Sequence, residues 1–162
     1  RVRNMMGPLK FVVMENVTNA LGHPGIPKSW NSVVLKDIDC GGLTARTRAF
    51  WTWPFMMLAP GAVGGKPSKS VMASTWKRGS SDSKYVTDKG FLPGDLPIEE
   101  YGRLQGCQHL AEHLRDHDSK PGRSFTVHVL GNGVPLAMGR TVAGAAAEHC
   151  ERMAAQSREA SA

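Results

Sequence analysis

The sequence predicts part of an α/β domain, and three stretches carry that prediction. Lys10 to Met14 is a short apolar run of strand type, followed at once by the polar Glu15-Asn16. Such a run reads as a strand of a buried, parallel sheet whose C-terminal edge emerges among polar residues, where open α/β sheets bind ligands. Ser32 to Asp37 and Ala49 to Leu58 are two further strands that the Gly41-Gly42 turn folds into a hairpin. At the other end, Phe125 to Leu130 alternates like a strand, Gly131-Asn132-Gly133 turns sharply, and Pro135 opens an Ala-rich helix to about Gln156. Strand, hairpin, helices and strand–turn–helix in that order make an α/β pattern with its sheet unfinished.

Between the hairpin and the last strand the pattern is helical. Pro97 stands at a first helical position with Glu99 and Glu100 in the first turn, where the helix dipole favours acids. The helix is expected to run to about Gln105, stop at Gly106, and resume from Cys107 to Asp116. No internal repeat is visible.

Length and charge narrow the function classes. A chain of 162 residues suits one ordinary domain, which at this size hides about two-thirds of its unfolded surface. Charged residues at 21% and hydrophobic residues at 41% speak against a wholly disordered chain, while 18 Gly and 10 Pro imply many loops. No apolar run reaches the roughly 18 residues that span a bilayer, and nothing resembles a secretion signal. Three widely spaced cysteines, Cys40, Cys107 and Cys150, make no disulfide framework and point to a reducing compartment. The sequence starts at Arg1 rather than Met, as expected of a piece of a longer polypeptide.

The net charge of +6 is concentrated. Pro60 to Gly90 holds Lys66, Lys69, Lys77, Arg78, Lys84 and Lys89 against Asp82 and Asp88, with Trp76 and Tyr85 among them. A basic, Gly- and Ser-rich loop of this length fits phosphate neutralisation on nucleic acid, and equally a solvated surface kept soluble by its charge.

Several residues could do chemistry. Glu15 at a strand end is either a desolvated carboxylate that shares a proton near neutral pH or a structural cap or ion-pair partner. Asn16 beside it could hold a loop or a substrate. Arg46 and Arg48 lie two apart, so on a strand both guanidinium groups aim one way, toward phosphate or base carbonyls or toward carboxylates of a neighbouring strand. His109, His113 and His117 recur every four residues on one helix face behind Cys107, but no second cluster completes a zinc site, and Glu112 and Asp116 suit a solvated face; no metal is expected. Gly131-Asn132-Gly133-Val134-Pro135 fails the dinucleotide fingerprint because Leu136 stands at its last glycine position.

The order of four segments adds more than any one of them: FVVMENV, GGLTARTRAF, PIEEYGRLQG and HVLGNGVPLAMGRTVAGA. In that order they resemble the C-terminal half of the DNA (cytosine-5) methyltransferase family and cover most of the chain. The resemblance implies a partial Rossmann-like, S-adenosylmethionine-dependent methyltransferase fold with a short, loop-rich target-recognition segment. It implies three parts: residues 1–59 as C-terminal strands of the catalytic domain, 60–96 as the recognition segment, and 97–162 as supporting helices and a strand–turn–helix returning to the catalytic domain. Glu15 matches the glutamate that engages N3 and the amino group of a flipped cytosine. Arg46 and Arg48 match the two arginines of a Gln-x-Arg-x-Arg motif, the second expected at the cytosine O2 and the first near the glutamate and phosphates; Thr44 stands where the family has Gln. Cys107 stands where it has Phe. Asn132, Gly133 and Val134 match the turn over S-adenosylmethionine.

The implied partners are double-stranded DNA, contacted by Asn16, Lys66, Lys69, Lys77 and Arg78, and an N-terminal methyltransferase half in the same chain or a separate subunit. No membrane is implied, and the expected setting is cytoplasmic and DNA-associated, in a bacterium or phage. The sequence contains neither a Pro-Cys pair nor the family's Gly-rich cofactor loop, so the chain alone is expected to be inactive. The alternative is a non-catalytic remnant that binds DNA or docks on a methyltransferase.

Overall fold

A computed structural model describes residues 11–61, 67–68, 89, 96–115 and 122–161, with the side chains of 122–124 excepted. Three strands, β1 (Val12–Asn16), β2 (Asn31–Lys36) and β3 (Thr47–Trp53), are followed by four helices, α1 (Ile98–Gln105), α2 (Gln108–Arg115), α3 (Gly122–Asn132) and α4 (Leu136–Glu159). The content is mixed α/β, as expected. The chain divides into two compact units. One takes the described residues up to Leu35, Thr47–Ala59, and those from Arg140 onward. The other takes Lys36–Arg46 and the described residues from Pro60 to Gly139.

In the first unit the sheet order is β1-β3-β2. β3 is central and has the burial of a central strand, with Ala49, Phe50, Trp51 and Thr52 all inaccessible to water. Apolar side chains on both faces of β3 are what a covered sheet requires. β2 is an outer strand and alternates instead: Leu35 is buried, while Ser32 and Val34 face water. β3 ends where Pro54 removes a backbone donor.

The sheet corrects one expectation. β1 pairs with β3 antiparallel, in the register Val12↔Trp53 to Asn16↔Ala49, and not in a parallel sheet. Its apolar run reports only that both faces are partly covered; burial does not set strand direction, which follows from the connections. Between β2 and β3 the chain reverses through a 3-10 turn at Ile38–Cys40, closed by Asp37 N–H to Arg46 O at 2.9 Å and Ile38 N–H to Thr44 O at 3.1 Å.

The second unit contains a helical core of Leu96, Ile98, Tyr101, Leu104, Ala111, Leu114, Val127 and Leu130. α1 begins after Pro97, whose carbonyl accepts from the amides of Glu100 and Tyr101 at 3.1 Å. It stops at Gly106, which takes the left-handed φ of 70° that ends a helix without a Cβ clash. α2 offers Ala111 and Leu114, one turn apart, to the same core.

Phe125 to Leu130 is not a strand; it lies inside α3, which continues through Gly131 and Asn132, so the turn begins at Gly133 rather than Gly131. A strand would bury Phe125, Val127 and Val129 on one face. The structure buries Thr126, Val127, Leu130 and Gly131, the i, i+3, i+4 spacing of a helix, and leaves Phe125 61% exposed. α3 packs against α1 and α2, and that packing outweighs the β preference of Thr126, Val127 and Val129. Pro135 then precedes α4, which starts in the second unit and runs mostly in the first. No helix among the described residues is long and apolar enough to cross a membrane.

Candidate functional site

In the first unit, register selects one arginine for Glu15. Glu15 faces Phe50 across the β1–β3 ladder, and Arg48, two residues before Phe50, lies on that same sheet face at the diagonal position. The Nε of Arg48 approaches Oε1 of Glu15 to 2.7 Å. The side chains stay 16% and 30% exposed respectively, so the pair is neither sealed from water nor fully solvated. Arg48 Nη1 donates to the Thr47 carbonyl at 3.0 Å, which fixes the guanidinium plane. Glu15 was expected to be a desolvated carboxylate or a structural cap or ion-pair partner; it is an ion-pair partner through Oε1. Asn16 ends the strand exposed, its Oδ1 accepting the Val17 amide at 2.8 Å.

Arg46 behaves differently. It precedes β3, so the alternation that places Arg48 does not reach it. It is 3% exposed, and its Nη1 donates to the Gly131 carbonyl at 2.7 Å, within the second unit. The arginine beside Glu15 is thus Arg48, whereas Arg46 was expected there.

The Arg46 contact belongs to a cap on α3. The last carbonyls of a helix have no partner within it. At the end of α3, the Gly133 amide takes the Val129 carbonyl at 3.1 Å, Gln105 Nε2 takes that of Leu130 at 2.9 Å, and Arg46 takes that of Gly131. A guanidinium at this end also meets the negative pole of the helix dipole. The buried Gln105 has no partner for Oε1 among the described residues, so Leu130 alone dictates how its amide is turned. Asn132, Gly133 and Val134 follow the cap and are exposed.

Asp37 prepares the way to Arg46. This buried carboxylate accepts the Thr44 hydroxyl at 2.7 Å and the amides of Thr44 and Leu43 at 2.9 and 3.2 Å. A Cβ at Gly42 would overlap it, which is why glycine stands there. Thr44 is a buried turn residue, and a parallel bridge joins it to Ser68. Asp37 and Gln105 were missed from sequence. An Asp ahead of a Gly-Gly turn and the Gln of Arg-Leu-Gln-Gly were the signals.

Elsewhere in the second unit, the Arg103 guanidinium, with Nε 3.0 and 2.9 Å from the two oxygens of Glu100, holds that carboxyl below its ordinary value of 4.5. Burial opposes the shift and Lys89, at 3.3 Å, adds to it. Burial pushes the Cys107 thiol up, the reverse of an activated nucleophile. His109 is fully exposed beside Glu112 at 3.5 Å. Lys66, Lys69, Lys77 and Arg78, with His117, lie outside the described residues.

No protein-family model, no curated protein and no solved structure matches the chain.

Proposed function

We propose that the chain is the base-holding and DNA-contacting C-terminal portion of a DNA (cytosine-5) methyltransferase, built on a Rossmann-like fold completed by other polypeptide. The observation that carries this reading is the 2.7 Å contact of Glu15 and Arg48 on one sheet face. Two of the four segments that resemble the family supply these residues, and the contact gives them a joint use.

With Oε1 engaged, Glu15 keeps Oε2 as an acceptor, and Arg48 beside it is a donor. An acceptor next to a donor complements the edge of cytosine, whose amino group donates and whose O2 accepts. Thymine would set its O4 against the carboxylate instead. That edge is reachable only when the base leaves the stack. A proton taken up from water onto N3 and hydrogen-bonded to the Glu15 carboxylate would make C6 more open to attack by a thiolate, and Arg48 at O2 would stabilise the negative charge that develops on the ring. The thiolate comes from outside these residues, since the sequence has no Pro-Cys pair. S-adenosylmethionine, when bound, supplies the methyl group. The exposed Asn132, Gly133 and Val134 would form one wall of its site, and none of them offers a charge to either end of it. Lys66, Lys69, Lys77 and Arg78 are assigned to DNA phosphates by their charge and place in the sequence.

The test is to extend the reading frame upstream of Arg1 and assay the encoded protein for transfer of tritiated methyl groups to duplex DNA. Transfer is expected, with Arg48→Ala cutting kcat at least tenfold and changing duplex affinity less than twofold. No transfer, with salt-dependent DNA affinity retained, would instead favour a non-catalytic DNA-binding remnant, the reading that the missing Pro-Cys pair also fits.

A further inference from the structure

We infer that Arg46 and Gln105 are positioning residues that hold Asn132 at the end of α3 and the Gly133-Val134 turn after it, and that Arg46 contacts neither DNA phosphate nor base. This rests on the methyltransferase reading for what the turn is for, but its geometry does not. Two side chains far apart in sequence converge on consecutive carbonyls, Gln105 on Leu130 at 2.9 Å and Arg46 on Gly131 at 2.7 Å. Both are 3% exposed, so neither can meet a phosphate without leaving the interior. The residues they precede are the exposed ones, Asn132, Gly133 and Val134. A charge-assisted bond at the carbonyl end of α3 fixes where the helix stops, and hence the direction in which the turn departs.

Gln105 shows that the contact serves placement. A buried amide whose Oε1 has no partner among the described residues is a costly way to fill space that an apolar side chain would fill as well. What leucine could not supply is the donor to Leu130. Arg46 and Gln105 therefore belong to the turn, and Arg48 to the base.

The test uses the 162-residue chain as wild type, Arg46→Lys, Arg46→Ala and Gln105→Leu, with amide hydrogen exchange read residue by residue. Gly131, Asn132 and Gly133 are expected to exchange at least tenfold faster in Arg46→Ala and Gln105→Leu, with β1 and β3 unchanged and Arg46→Lys intermediate. In parallel, the salt dependence of binding to a short duplex is expected to keep its slope in Arg46→Lys and Gln105→Leu. Arg46→Ala should keep it too, whereas loss of a phosphate contact would lower it by about one. In an active extended enzyme, Gln105→Leu should raise KM for S-adenosylmethionine while duplex affinity stays the same. Unchanged exchange at Gly131 to Gly133, or a slope lowered in Arg46→Ala, overturns the inference. Should Arg46→Ala fail to fold, Gln105→Leu and Arg46→Lys decide it. A chain that binds no DNA counts against the methyltransferase reading, and the exchange data still judge the cap.

Discussion

Glu15 and Arg48 meet on a sheet face with water within reach, whereas Arg46 reaches Gly131 with its side chain out of solvent. Two arginines separated by one residue thus enter opposite environments, one in each compact unit. The strand boundary between them makes the difference: Arg48 is within β3 and obeys its alternation, and Arg46 belongs to the turn that Asp37 organises. A partly exposed ion pair is weak in stability terms and open to a ligand. A buried charge-assisted bond is the reverse, valuable to the fold and closed to partners. Of the two, only the first arrangement suits recognition.

The largest expected effect is at Arg46. Arg46→Ala removes a charge-assisted bond and leaves the Gly131 carbonyl buried without it, at a cost of about 2–3 kcal/mol in urea-induced unfolding of the chain. Arg48→Ala should cost less than about 1 kcal/mol, the range of partly exposed pairs. Equal losses would erase the contrast.

A smaller effect depends on pH and lies in the second unit. Because Arg103 and then Lys89 depress the folded-state pKa of Glu100, the stabilisation from this carboxylate is complete above its ordinary value of 4.5 and is lost as the pH falls through the lower folded value. Thermal unfolding followed across that window should show the loss in wild type and not in Glu100→Gln. Identical acid profiles for the two would show that the Arg103 contact contributes nothing.

Local signals made much of this legible. Pro97 and Gly106 bracket α1 because each restricts or frees the backbone by itself, and the apolar runs of β1 and β3 mark strands whatever they pair with. What stayed hidden depends on distant partners. The direction of β1 follows from its pairing with β3, and the helical state of α3 from packing on α1 and α2, so neither is written in its own residues. The site divides likewise. Glu15 and Arg48 were identifiable as residue types in a recurring order, but which arginine meets the glutamate is a matter of register and of where β3 begins. Gln105 sat unremarked inside a recognised segment because its partner carbonyl is on another helix.

The most direct measurement replaces Glu15 by Gln in the extended protein, proposed to be a methyltransferase, and follows the rate of transfer at saturating DNA. Loss of a positioned proton-handling group should slow the reaction by about 100-fold or more while the duplex dissociation constant stays within twofold. Methylated cytosine forming at the parental rate would contradict the assignment of Glu15, and with it the proposed use of its partner Arg48.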